Sequence, residues 1–207
     1  MSEHTTAQFW DEMYGSTTRV WSGNPNPLLT REVSDLAPGS ALDAGCGEGA
    51  DSHWLARRGW RVHGVDISSV ALERAAAQTE PEIAGRITWE RGDLTEWVPR
   101  RRAYDLVNSQ FLHFPRALRE PLFARLADAV APGGTLLLVG HHPSDLHTTV
   151  RRPQEPDLFF TPEELVANLA ADDWEVLVAQ ASPREVADGH GHGATIRDTV
   201  VRARRRS

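Results

Sequence analysis

Leu42-Asp43-Ala44-Gly45-Cys46-Gly47-Glu48-Gly49 joins a short apolar run, Ser40 to Ala44, to a helical stretch, Asp51 to Arg58, that Gly59 closes. A glycine-rich turn between strand and helix lets backbone approach a ligand closely. Asp66 ends the next strand candidate, Arg61 to Ile67, 23 positions beyond Asp43. A carboxylate there can accept hydrogen bonds from both hydroxyls of a ribose. The loop and the acidic strand end together predict a nucleotide site.

Outward from this segment the chain alternates strand and helix. Ser68 stands at an N-cap position before the alanine-rich Ser69 to Thr79, which Pro81 stops. Arg86 to Glu90 and Tyr104 to Ser109 read as the third and fourth strands. Arg116 to Val130 carries Leu118, Leu122, Phe123, Leu126 and Val130 at helical spacing. Pro132-Gly133-Gly134 reads as a turn, and Thr135 to Gly140 as a fifth, mid-sheet strand. His141 to Phe160 is aperiodic and proline-rich. Thr161, Pro162 and Glu164 then form a capping box that opens a helix. Trp174 to Ala179 and Ala194 to Arg202 read as a closing antiparallel hairpin. The expectation is an α/β fold: a Rossmann-like, doubly wound, seven-stranded mixed sheet with helices on both faces.

The 207 residues suit one domain, 1–207, with an arm at 1–35, a core at 40–140 and a closing part at 141–207. A chain of this length buries roughly 70% of its unfolded surface and needs no disulfide or metal. The single cysteine, Cys46, cannot form an internal disulfide and fits a reducing, cytoplasmic setting. The N-terminus lacks the features of a signal peptide, and the longest aliphatic run, Leu136 to Val139, is too short to span a bilayer. The net charge of −7 argues against general nucleic-acid binding. Every basic residue is arginine, and the clusters Arg100 to Arg102 and Arg202 to Arg206 read as solvated surface.

Gly45, Gly47 and Ala50 satisfy the dinucleotide pattern Gly-x-Gly-x-x-Gly/Ala, which keeps a nicotinamide-dependent oxidoreductase in view. Asp43 and Glu48 oppose it, since two carboxylates would repel a pyrophosphate. The motifs in sequence order resemble the class I S-adenosylmethionine-dependent methyltransferases. These are Leu42 to Gly49, Val65-Asp66-Ile67-Ser68, Gly92-Asp93-Leu94, Tyr104-Asp105-Leu106-Val107, and Leu126 to Leu138 with its Pro-Gly-Gly. S-adenosylmethionine carries an ammonium and a sulfonium and no phosphate, so the acidic loop suits it. Phe9 to Tyr14, Trp21 to Asn26 and Glu185 to Arg204 further resemble the tellurite-resistance and thiopurine methyltransferase-like branch.

The resemblance implies roles by motif. Asp43, Gly45, Cys46 and Gly47 would form the cofactor loop at the methionine moiety, and Asp66 would hold the ribose. Ile67 and Ser68 would lie at the adenine, with Gly92, Asp93 and Leu94 supplying the acceptor for its amine. Gln110 and Phe111 would contact the cofactor after the fourth strand. In an open α/β sheet the ligand lies beyond the carboxyl ends of the strands. His113 and His141 fall there as catalytic candidates, able to act as a base or to orient a substrate, and His142 lies beside them. Trp10, Tyr14 and Trp21 join these histidines as substrate-side candidates, on an arm able to cover the site. His190-Gly191-His192 with His147 makes weak metal spacing, and no metal is expected. The implied partner is a small-molecule methyl acceptor, with no nucleic acid or membrane, for a monomer or homodimer. A non-catalytic S-adenosylmethionine-binding module is the remaining alternative.

Overall fold

The computed structural model describes residues 6–148, 150, 152–153, 155–187 and 193–207. The strands are β1 (Ser40–Ala44), β2 (Arg61–Asp66), β3 (Ile87–Arg91), β4 (Tyr104–Gln110), β5 (Val130–His141), β6 (Trp174–Ala187) and β7 (Gly193–Arg205). The helices are α1 (Ala7–Gly15), α2 (Pro27–Val33), α3 (Ala50–Arg57), α4 (Ser69–Ala77), α5 (Pro81–Ala84), α6 (Arg116–Ala129) and α7 (Pro162–Val166). The strands form one sheet in the order β3-β2-β1-β4-β5-β7-β6. The first five run parallel, while β7 pairs antiparallel with both β5 and β6. This is the expected seven-stranded mixed sheet.

Strand alternation sorts the core into two layers. Leu42, Ala44, Val107, Leu136 and Leu138 face Leu122 and Leu126 of α6, Leu165 of α7, and Phe160. Ala41, Leu106, Leu137 and Val139 face Leu28, Leu29 and Val33 of α2 and Leu55 and Ala56 of α3. Because both faces are covered, Leu136 to Val139 is apolar without interruption, as a central parallel strand requires. Asp43, Asn108, Gln110 and His141 share the face that carries α2 and α3, since each is an even step from an apolar residue of that layer. Strand order reverses between β1 and β4, and ligands bind at such a switch point beyond the strand carboxyl ends.

Local chemistry accounts for the helix starts. The Ser68 side chain accepts from Ala71 N at 3.1 Å. Thr161 and Glu164 complete their reciprocal box, with Glu164 Oε2 accepting from Thr161 N at 2.8 Å.

Several sequence expectations are corrected. Pro81 does not simply stop the fourth helix. That helix has ended by Gln78, and Pro81 opens the short α5. Val130 belongs to β5 and not to α6, and Pro132-Gly133-Gly134 forms an irregularity within β5, with Gly133 at φ +77°. Leu118 is exposed, because the buried face of α6 runs through Arg119, Leu122, Leu126 and Ala129 and leaves Leu118 at its edge. The hairpin strands extend well past Ala179 and Arg202. Arg202 and Arg205 are not solvated. Arg202 pairs with Asp35 at 3.0 Å, and the Arg205 guanidinium lies 4.7 Å over the Trp174 ring and donates to Ala127 O. Trp60 and Trp174 are buried, in keeping with packing roles.

Gly140 makes one packing constraint testable. A Cβ there would strike the ring of Phe160, which is itself buried beneath the Arg119 guanidinium at 4.8 Å. Seating the methyl group would require the packed ring to shift, so Gly140→Ala should destabilise by about 1–3 kcal/mol in urea unfolding. An unchanged midpoint would show that the layer yields.

Candidate active site

The glycine-rich loop leaves β1 at the switch point. Gly45 and Gly47 hold φ of +78° and +51°, conformations that favour glycine. A Cβ on Gly47 would come within 2.8 Å of the Tyr14 hydroxyl oxygen, so both conformation and space require glycine there. Two carboxylates brace the loop from behind. Asp66 Oδ2 accepts from Gly47 N at 2.8 Å and its Oδ1 from Ser68 N at 2.9 Å. Asp43 is buried beneath the loop. Its Oδ2 accepts from Ser52 Oγ of α3 at 2.6 Å and its Oδ1 from Asn108 Nδ2 of β4 at 2.9 Å. Burial pushes the Asp43 carboxyl up, against the opposing pull of those two hydrogen bonds. Burial likewise raises Asp66, despite its backbone donors.

The N-terminal arm lies over this loop, held by carboxylates. Glu48 Oε2 accepts from the backbone N–H groups of Val20 and Trp21, each at 3.2 Å, and Oε1 accepts from Arg74 at 3.0 Å. Asp51, in the first turn of α3, accepts from Asn26 N at 2.7 Å. Asp11 of α1 accepts from Ser68 Oγ at 2.6 Å and from Val70 N at the start of α4. Tyr14 is buried and accepts from Trp21 Nε1 at 3.1 Å, while the Trp21 ring is half exposed. Glu48 therefore serves the arm and is balanced by Arg74.

A wall of rings rises beyond β4 and β5. Phe111 adopts φ +53°, unusual for a non-glycine residue, and its ring lies 4.9 Å from that of His141. His113 stacks between His141 at 5.4 Å and Trp10 at 6.3 Å, and Phe159 closes the far side of His141 at 5.8 Å. His141 is buried. Burial first, then the charges of Arg152, His113 and Arg184, push it down to about 3, so the ring is neutral at physiological pH. Its Nδ1 is buried with no hydrogen-bond partner among the described residues. Arg184 pairs with Asp198 at 2.9 Å and Arg152 with Asp145 at 3.4 Å, so neither guanidinium brings an uncompensated charge.

Trp10, Tyr14, Trp21, His113 and His141 thus lie in or against the arm and ring wall, near Gly45, Gly47, Gln110 and Phe111. Leu94 is buried and flanks Gly45 together with Leu112. Asp93 spends Oδ1 on Thr95 N and Oγ1, at 2.9 and 2.7 Å, closing its own turn. Gly92 bonds back to Asp66 O, Ile67 is half-buried, and the Cys46 thiol is free and buried. His142 caps the following 3₁₀ turn through Ser144 N and Oγ, so its Nδ1 is occupied. His190-Gly191-His192 lies outside the described residues. Among the described residues no group of three or more His, Cys, Asp or Glu could hold a metal. Sequence reasoning missed Asp11, Ser52 and Asn108; the polar Asn108 and Gln110 in the otherwise apolar β4 were the available signal.

Over residues 41–134 the chain matches a family model described as a methyltransferase domain. It is 37% identical over 111 residues to a trans-aconitate 2-methyltransferase of Pseudomonas paraeruginosa, covering 52% of this chain and 38% of that one. It is 32% identical over 145 residues to a probable thiol methyltransferase 2 of Arabidopsis thaliana, covering 66% and 62%. A solved structure concerned with conversion of a disulfide bond into a thioacetal group during echinomycin biosynthesis shares the fold. It superposes with a TM-score of 0.74 at 22% identity, covering 97% of this chain and 92% of that chain. The chain thus spans about two fifths of the length of the first of these relatives. The motif order, the switch-point loop and these matches agree in likening residues 41–134 to a class I S-adenosylmethionine-dependent methyltransferase domain. They favour that reading over the nicotinamide one.

The braced loop fits S-adenosylmethionine, the cofactor the resemblance implies: left-handed glycines give close backbone approach, and the carboxyls of Asp43, Asp51 and Asp66, each raised by burial, would be drawn toward their charged forms by an ammonium and a sulfonium. The raised Asp43 value carries a sign. A folded-state value above the unfolded one gives stability that is full below the unfolded pKa, ~3.9, and lost as pH rises through the raised value. Asp43→Asn removes that loss. The melting temperature of the variant relative to wild type should therefore climb in thermal scans from about pH 4 and level off once pH has passed the raised value of about 6. A constant difference would show that Asp43 titrates alike folded and unfolded.

Proposed function

We propose that the protein is an S-adenosylmethionine-dependent methyltransferase acting on a small molecule, with a thiol, chalcogen or heteroaromatic atom as nucleophile. The observation that carries the cofactor reading is the left-handed loop at the switch point, backed by Asp66 on the Gly47 amide at 2.8 Å. S-adenosylmethionine supplies a methyl group on a sulfonium whose thioether is a good leaving group. Asp66 holds the ribose, Asp93 accepts from the adenine amine, and Ile67 packs on the ring. The arm, through Trp10, Tyr14 and Trp21, serves as a lid that excludes water from the transfer.

The state of His141 supports the choice of acceptor. A group with a pKa of about 3 is poorly matched to removing a proton near neutral pH. A soft nucleophile that ionises on its own needs no such base, so His141 and His113 are better suited to orienting the acceptor between aromatic walls. The thiol methyltransferase among the relatives agrees with this, and the tellurite-resistance and thiopurine-like branch is the finer assignment we adopt. The net charge of −7 supports a small acceptor over nucleic acid. No helix among the described residues is long and apolar enough to cross a membrane. A reducing cytoplasm suits the free Cys46. We place the protein there as a monomer or homodimer.

Titration calorimetry with S-adenosylhomocysteine, the expected product, tests the cofactor reading. Micromolar 1:1 binding supports it, and no binding overturns it. Asp66→Ala should weaken that binding by about 1.5–3 kcal/mol, the scale for hydrogen bonds to a charged group. An unchanged dissociation constant would remove Asp66 from the ribose. With a thiol acceptor, kcat/KM should rise with pH toward the thiol's own pKa, ~8.5. An inflection near pH 6.5 that vanishes in His141→Gln would instead make His141 the base.

A further inference from the structure

The site's polarity can be read along one chain of hydrogen bonds that starts beneath the loop. The Asp43 carboxylate accepts from Ser52 Oγ on one oxygen and faces the Asn108 amide at 2.9 Å with the other. The 2.6 Å contact to Ser52 is the shorter, so a proton on the carboxyl would sit on Oδ2 and leave Oδ1 an acceptor. Asn108 must then present Nδ2 to Asp43, since its own oxygen there would oppose another acceptor. That turns Asn108 Oδ1 outward along β4, where it accepts from Gln110 Nε2. Nε2, which keeps one further N–H, is thereby turned toward Asn108, and this fixes Oε1 as the acceptor end of the Gln110 amide. This oxygen is buried with no hydrogen-bond partner among the described residues. Asp43, Asn108 and Gln110 lie on one sheet face, and the chain runs outward to the carboxyl end of β4. There Gln110 is in register with Val139, two residues before His141 on the same face.

A buried acceptor without a partner is costly, and native structures rarely leave one so. The Ser52-Asp43-Asn108 chain removes the remedy open to other amides, which is to flip. We propose that Gln110 Oε1 is a fixed acceptor for an N–H or O–H group of a bound ligand, and that Ser52, Asp43 and Asn108 act through it as positioning residues. Resting on the methyltransferase reading, the donor has two sources: the ammonium of the cofactor, on the Gly45 side, or an N–H or O–H group of the methyl acceptor other than its nucleophilic atom, such as the hydroxyl of 2-mercaptoethanol, on the His141 side. A carboxylate nucleophile is disfavoured at this point, because it would set oxygen against oxygen.

Gln110→Met, close in volume but without the acceptor, separates the sources. Calorimetry uses S-adenosylhomocysteine and 5′-methylthioadenosine, which lacks the amino-acid part, and kinetics use 2-mercaptoethanol as probe thiol. If the donor is the ammonium, the variant binds S-adenosylhomocysteine about tenfold more weakly and methylthioadenosine as before. If it is the acceptor, both nucleosides bind as before and the thiol KM rises about tenfold with kcat kept. Equal weakening of both nucleosides would mean pocket collapse and overturn the proposal, as would no change in either affinity or KM. Should the wild type bind S-adenosylhomocysteine but turn over no thiol, unchanged S-adenosylhomocysteine affinity alone overturns it. Failure of the wild type to bind S-adenosylhomocysteine is a distinct result that removes the methyltransferase reading and this inference with it.

Discussion

The buried carboxylate of Asp43 is the constraint from which the rest of the site follows. It sits at the penultimate residue of β1, beneath the glycine-rich turn, and ties three elements together: β1, α3 through Ser52, and β4 through Asn108. Burying a carboxylate disfavours its charged form, and the raised Asp43 value records that cost. The two donors offset part of it and in doing so fix the spacing between helix start and strand end. Removing either donor would leave a buried charge short of a partner, which is far more costly than losing a hydrogen bond at the surface. The loop is therefore held from behind, while its left-handed glycines let Leu112 and the Tyr14 hydroxyl seat closely against it.

A second set of carboxylates governs the arm, and here electrostatics and topology act together. Glu48 belongs to the loop yet spends its oxygens on the amides of Val20 and Trp21 and on Arg74. Asp11 belongs to the arm yet caps α4, where the exposed N–H groups of the first turn favour an anion. Asp51 does the same for the approach to α2 through Asn26. The arm is thus fastened at three points by backbone amides meeting acidic side chains. The acidity read from the sequence as a property of the ligand site is in good part a property of its cover.

This division explains what was legible in the sequence. Periodicity and capping chemistry exposed the sheet, because Leu136 to Val139 is apolar throughout and because Ser68, Thr161 and Glu164 are chemically suited to helix starts. The switch-point loop and Asp66 were legible because glycine and a carboxylate are needed there for geometric reasons that sequence preserves. Leu118 and the Arg202 and Arg205 side chains were misread because burial depends on where a face points, and arginine stems pack as readily as they solvate. The Pro-Gly-Gly stretch looked like a turn and became an irregularity inside β5, since neighbouring strands can absorb extra residues without ending the ladder. The bonds of Glu48 to the arm were not legible, because no local pattern reports a contact made with residues nearly thirty positions away.

The strained link at Phe111 joins the loop to the acceptor side. A phenylalanine at φ +53° is held against its own preference, which requires the surroundings to determine it. They do so through three contacts. Phe111 N donates to Val139 O at 2.8 Å, its ring lies against His141, and the next residue, Leu112, seats on Gly45. The turn that results sends His113 back between His141 and Trp10. One unfavourable backbone angle therefore sets, at once, the apolar neighbour of the cofactor loop, the ring against the neutral imidazole, and the surface on which the arm rests. A helical or extended continuation of β4 would separate these groups. The strain is best understood as the cost of ending the strand in a place where the glycine-rich loop, the ring wall and the N-terminal arm meet.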